Sequence, residues 1–310
     1  MSPTLDLRCA VQTAALGESP AGTASVASRW VLLELPGPWP KPALAHPLLE
    51  TLPDPRRLTR PGVRTLLVAD DDTATGLHEV GHRITVWDHE PGPPLTGLRG
   101  RTTTVPTRDV AVAALAATDG ALDADLVDLP DDRIDIAICT QGSHDRCCGS
   151  MGTRLHAEAA AHFADRPDVH LWRTSHTGGH RFAPTGLSFP DAMTWAGLDL
   201  SALRRIVDGD VDELCRSPLL RGNAAIVDKA AQLLDLEGLR RHGADWWHAP
   251  RTWSTGDEHT TVTARLADGD VTYRGVLAAG RTLPVPPCGS PLEESVKTRT
   301  EAVLVDVARV

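Results

Sequence analysis

Short apolar runs broken by turn residues set the rhythm of the first hundred positions. Trp30-Val31-Leu32-Leu33-Glu34-Leu35 reads as a strand, stopped by Pro36-Gly37-Pro38. Residues 64–69 and 83–87 read as further strands, 43–52 as a short helix and 110–117 as a longer one. A Pro/Gly/Arg-rich stretch over 91–107 interrupts the pattern. From Asp131 the pattern changes. Ile134, Ile136 and Ile138 alternate with Asp135 and Ala137, giving a strand that delivers Cys139 into a loop. Met151, Leu155, Ala159 and Phe163 fall on one face of a helix over 149–163. Residues 169–173 form the next strand, 174–184 a loop, and 200–207 and 224–239 further helices. Ala267-Asp268-Gly269-Asp270 signals a hairpin between strands 262–266 and 271–277, with a closing strand over 301–307.

This reading divides the chain into an α/β N-terminal region (1–130), a compact α/β unit (131–210), and a helical segment followed by a β-rich end (211–310). No sequence repeat is visible. A net charge of −10 and the lack of a Lys/Arg run argue against nucleic acid as a partner. The apolar runs are too short to span a bilayer. Met1 to Arg8 has no cationic segment leading into an apolar one, so the expected location is cytoplasmic, with no membrane partner. Six cysteines are too sparse for a disulfide framework and favour thiol or metal chemistry.

Three of those cysteines lie within ten residues: Cys139-Thr-Gln-Gly-Ser-His-Asp-Arg-Cys147-Cys148-Gly149. About thirty residues on comes His176-Thr-Gly-Gly-His180. Thiolates at a strand end and helix start suit soft metals, because the helix N-terminus stabilises negative charge. Two glycines inside one turn oppose a helix, so the histidines read as a tight loop whose backbone approaches something bulky. Spacing alone leaves three readings open for each residue: a zinc site, an iron–sulfur site, or a buried core thiol beside an ordinary turn. The 139–148 spacing is wide for a zinc knuckle. His144, Asp145 and Arg146 read either as neighbours of a metal group or as a plain loop in which Asp145 caps the helix, the cap being favoured for Asp145, and Arg181 reads as reaching either a cluster sulfide or a carboxylate. Trp39, Trp172 and Trp195 read as core, and Cys9, Cys215 and Cys288 as structural thiols.

These segments resemble the sucrase/ferredoxin-like family, a branch of the thioredoxin-like [2Fe-2S] ferredoxins. The resemblance rests on Gly22-Thr23-Ala24, Trp30 to Glu34, Pro36-Gly37-Pro38-Trp39, Cys139 to Gly149 and above all Ser175-His-Thr-Gly-Gly-His-Arg-Phe-Ala-Pro184. It implies a thioredoxin-like ferredoxin domain over about 131–210, binding a [2Fe-2S] cluster through two Cys and two His. Carried onto this chain, the ligands are Cys139, Cys148, His176 and His180, with Cys147 the alternative to Cys148. The implied function is single-electron transfer between donor and acceptor proteins that the sequence does not name, with redox coupled to proton uptake at the imidazoles. The competing function is a zinc-stabilised α/β binding module without a redox role. A thiol–disulfide oxidoreductase is the weakest reading, for want of a Cys-x-x-Cys. Glycoside hydrolysis needs a pair of carboxylates at a sugar site, and no sequence context singles one out.

Overall fold

The computed structural model describes residues 6–70, 81–89 and 94–310. Helix α1 (Cys9–Ala15) precedes two parallel neighbouring strands, β1 (Arg29–Glu34) and β2 (Val63–Ala69). The crossover between them is three single turns of 3-10 helix, at Ala43–Ala45, Pro47–Leu49 and Pro55–Leu58, rather than one helix over 43–52. Pro47 explains the break, since it lacks the N–H that a continuing helix would use. Strand β3 (His82–Asp88) runs antiparallel to β1, and β4 (Arg99–Val105) antiparallel to β3. Helix α2 (Val110–Asp119) follows, then the two-residue edge strand β5 (Val127–Asp128). The part of the Pro/Gly-rich stretch at 91–93 lies outside the described residues.

A second round repeats this order. Strand β6 (Ile134–Cys139) and helix α3 (Thr153–His162) lead to β7 (Val169–Thr174), which is parallel to β6. Strand β8 (Gly186–Phe189) runs antiparallel to β6, and β9 (Met193–Trp195) antiparallel to β8; helix α4 (Leu200–Asp208) closes the round. Short helix α5 (Asp212–Arg216), strand β10 (Leu220–Asn223), helix α6 (Lys229–His242) and the single turn α7 (Ala244–Trp247) follow. The chain ends in a separate antiparallel sheet of β11 (Arg251–Thr255), β12 (Thr260–Leu266), β13 (Gly269–Pro284) and β14 (Thr298–Arg309).

Among the described residues both rounds therefore run strand, crossover, parallel strand, two antiparallel strands, helix. They join through β2 and β7, which pair antiparallel at Val68–Thr174 and Ala69–Arg173. The seam is symmetric: Val68 also pairs with Glu34 at the end of β1, and Thr174 with Cys139 at the end of β6. Glu34 and Cys139 thus hold equivalent places. A topology is specified by the period of burial rather than by residue identity, so the sequence carries no visible repeat. The result is one ten-stranded sheet, β10-β9-β8-β6-β7-β2-β1-β3-β4-β5, so strands from both sides of residue 130 share it.

Side chains from the two rounds meet in one core. The rings of Trp87 and Phe189 stack at 5.3 Å, and Trp30 meets Phe189 edge-on at 6.3 Å. The buried Asp135 is fully used: it accepts from Trp87 Nε1 and Trp172 Nε1, each at 3.0 Å, and pairs with Arg133. A buried carboxylate left unpaired would cost several kcal/mol, so this knot favours the single arrangement in which both tryptophans reach it.

Candidate metal centre

Strand β6 is buried over its last five residues and ends at Cys139. The chain then loops and re-enters helix through a π-helical turn, Cys148–Gly152, that runs into α3. The turn is pressed hard against the strand end: a Cβ at Gly152 would lie 1.9 Å from the Cys139 carbonyl oxygen, so only glycine fits. This close approach sets Cys148 beside Cys139.

Cys139, Cys148 and His176 form one group. The neighbouring Cys148 thiol holds Cys139 well below the ordinary thiol range; burial opposes this, while His176 and the backbone at Thr177 and Gln141 reinforce it. The same contact, together with burial, pushes Cys148 up. The backbone N–H of His176 donates to Gln141 Oε1 at 2.9 Å, and its ring stacks on His144 at 3.7 Å and 16°. His176 Nδ1 is buried and has no hydrogen-bond partner among the described residues. Orphaned buried nitrogens are rare in folded proteins, and a metal group is one thing that satisfies them. Burial, then the nearby His176, Lys41 and His180, lower the pKa of His144 to about 4, which leaves it neutral at pH 7.

His180 stands beside this group, its ring centroid 6.0 Å from that of His176. His180 Nδ1 lies 2.9 Å from Asp145 Oδ2. Burial would raise the Asp145 pKa, but the His180 contact and the N–H groups of Cys147 and Cys148 outweigh it and hold the carboxyl well below its usual range. Asp145 Oδ1 accepts from Cys147 N–H at 2.8 Å. Asp145 therefore caps the incoming helix, as its sequence context suggests, and also orients a histidine.

On the far side of Asp145 lie Cys9, Cys147 and Cys288. Cys9 Sγ is 3.4 Å from Cys147 Sγ, 3.4 Å from His180 Nδ1 and 3.7 Å from Asp145 Oδ2; Cys147 Sγ is 3.6 Å from Cys288 Sγ. The Cys147 thiol is lowered to about 6 by its hydrogen bond with Cys9, against the opposing effect of burial. All six cysteines are free thiols.

Cys139 thus has Cys148 and His176 as neighbours, His180 touches Asp145 and Cys9 of the second group with its ring 6.0 Å from that of His176, and Cys147 belongs to the second group. Gly178 and Gly179 have φ of +87° and +69°, a loop rather than a helix, as their sequence suggests. What they approach is Ser25 and the guanidinium of Arg221. Arg221 is buried and donates to Gly178 O at 3.1 Å, Thr23 Oγ1 at 3.1 Å and Thr23 O, all of them neutral acceptors. Arg181 forms a buried bidentate pair with Glu18. Trp39, Trp172 and Trp195 are core, as read, and Cys215 is a buried core thiol. Cys9 and Cys288, read as structural thiols, lie against the chemistry instead. The vicinal pair Cys147-Cys148 was the one sequence signal for a second thiol cluster, because one residue of such a pair cannot share the other's direction.

A family model described as Sucrase/ferredoxin-like matches residues 20–222 of the chain. Comparison with curated proteins and with solved structures returns no match.

Proposed function

The chain belongs to the sucrase/ferredoxin-like family, and we propose that it is an electron-transfer protein holding a [2Fe-2S] cluster through Cys139, Cys148, His176 and His180. The observation that carries this reading is the buried, unpartnered Nδ1 of His176 beside the Cys139–Cys148 pair. The repeated strand–crossover–strand–strand–strand–helix order supports a thioredoxin-like reading of each round, with the metal group at the strand end of the second.

The residues fit such a group. Two thiols supply negative charge and two imidazoles are neutral donors, a mixed set suited to iron. Asp145 accepts from His180 Nδ1 and so fixes the ring with its other nitrogen free to bind. When bound, the cluster takes up and releases one electron. Arg221 holds a buried positive charge near Cys148, with no carboxylate partner among the described residues, and favours the state with the extra electron. Both imidazoles are only half-buried, which gives a partner protein an edge to approach and each ring a route for a proton. Glu18, Asp135 and Asp235 are already committed to Arg181, to the Trp87–Trp172–Arg133 knot, and to Trp246 and Arg251, so these buried carboxylates support no sugar chemistry.

The second reading is a zinc-stabilised binding module, favoured by the Cys₂His₂ donor set itself. Anaerobic purification with iron and acid-labile sulfide analysis separates the two. A coloured protein with equal iron and sulfide supports electron transfer. A colourless protein whose zinc depends on His176 overturns it.

A further inference from the structure

The thiols of Cys9, Cys147 and Cys288 come from three remote stretches: the start of α1, the helical turn that leads into α3, and the loop after β13. Cys9 and Cys147 are fully buried. Together with Asp145, each offers one donor atom, and all four atoms lie within 4.8 Å of one another. The loop at Cys288 is tied to the start of the chain: Gly289 N–H donates to Leu7 O at 2.9 Å, and Gln12 Nε2 donates to Ser290 O at 2.9 Å. Two of the three cysteines, Cys9 and Cys288, lie outside the family-matched residues 20–222.

We propose that Cys9, Cys147 and Cys288, with Asp145 Oδ2 as fourth donor, form a second metal site that takes one zinc ion and pins both ends of the chain to the cysteine loop. The spacing fits. In a tetrahedral site with Zn–S bonds of about 2.3 Å, neighbouring sulfurs lie about 3.8 Å apart. The observed Sγ–Sγ separations of 3.4 and 3.6 Å are close to that and well beyond a disulfide bond. A set this tight has room for one ion and not for a cluster with bridging sulfides. Three thiolates select a soft ion, and a carboxylate as the fourth donor suits zinc better than monovalent copper. Binding displaces the thiol protons to solvent. Arg8 lies close enough to Cys147 to offset part of the negative charge. Because Asp145 Oδ2 also accepts from His180, the two sites share one carboxylate.

The test is metal analysis of the full-length protein expressed with zinc and iron supplied. One zinc per chain is expected, in addition to any iron. X-ray absorption at the zinc edge should report three sulfurs and one light atom. Cys288→Ser sits on a half-buried loop and should fold normally by circular dichroism while losing the zinc. Cys9→Ser should do the same. His176→Ala and Cys139→Ser should keep the zinc whether or not they bind iron. Zinc retained in full by Cys288→Ser overturns the proposal. So does zinc lost with His176→Ala and kept in Cys288→Ser, or no zinc in protein whose thiols are shown to be reduced. A protein with no iron that still loses zinc in Cys288→Ser would sink the electron-transfer reading and leave the second site standing.

Discussion

Asp145 Oδ2 lies 2.9 Å from His180 Nδ1, while Oδ1 of the same carboxylate accepts the Cys147 N–H at 2.8 Å. One side chain thus sets both where the cysteine-bearing helix begins and which way a histidine faces. Asp145→Asn keeps the cap and weakens the charge-assisted contact. The cluster should leave the variant faster under chelator challenge, with metal affinity down 10- to 100-fold, roughly the size expected when a ligand histidine loses its carboxylate. Asp145→Ala should in addition cost about 1 kcal/mol of stability by urea unfolding, the usual cost of a lost cap. Equal chelator half-lives for wild type and Asp145→Asn would contradict this role.

The vicinal cysteines face different groups, Cys148 toward Cys139 and Cys147 toward Cys9 and Cys288. Cys148→Ser should abolish the visible absorption of the purified protein, and Cys147→Ser should keep most of it. The reverse result would assign the ligand to Cys147.

Replacing His176 and His180 together by Cys substitutes two thiolates for two neutral donors. The added negative charge disfavours the reduced state, so the midpoint potential should fall by on the order of a few hundred millivolts. Wild type should also show a potential that falls as pH rises, by up to about 59 mV per unit for each proton coupled to the electron. The double variant should be flat over the same range. Protein-film voltammetry reads both, and an unchanged potential in the variant argues against histidine ligation.

Arg221 is buried among neutral acceptors, with Arg181, Arg299 and Arg64 as its charged neighbours. Its positive charge should favour an added electron near Cys148. Arg221→Gln should lower the potential by on the order of 50 mV, a one-electron effect of about the size a single partly screened charge exerts. A potential that rises or stays fixed, in a variant that still binds iron, counts against this electrostatic role.

His144 gives a pH signature in the cluster-free protein. Its pKa is lowered to about 4, first by burial and then by His176 and Lys41. Between an unfolded value near 6.5 and that folded value, the unfolded chain binds the extra proton. Stability should therefore fall as pH drops from about 6.5 toward 4, and His144→Gln should flatten that slope. The effect is modest, since the ring is only half-buried. Parallel slopes for wild type and His144→Gln in urea titrations would contradict the assignment.

Local pattern placed Cys139 at a strand end and both histidines in a loop, and it was the family resemblance that implied their grouping with Cys148. An alternating Ile134–Ile136–Ile138 strand delivers Cys139, and the Gly178-Gly179 pair forces a loop between two histidines. The second group was not legible, because Cys9 and Cys288 reach Cys147 only through tertiary packing, 138 and 141 residues away in the chain. The same holds for Glu18, which meets Arg181 across 163 residues. Local chemistry also moved element ends. The helix expected from 224 starts at Lys229, because Asn223 Oδ1 accepts from Ala225 N–H and Asp228 Oδ1 caps at Ala231 N–H. The doubled topology leaves no repeat in the sequence because burial period, not identity, specifies it. Glu34 stands where the second round has Cys139.

Pulsed EPR of the dithionite-reduced protein, grown with ¹⁵N-histidine, tests the central claim most directly. The account predicts a reduced [2Fe-2S] signal coupled to two histidine nitrogens, one coupling lost in His176→Ala and the other in His180→Ala wherever enough cluster survives to be seen. A reduced cluster with no histidine nitrogen coupling, or a protein that carries zinc and no iron after anaerobic reconstitution, would contradict it.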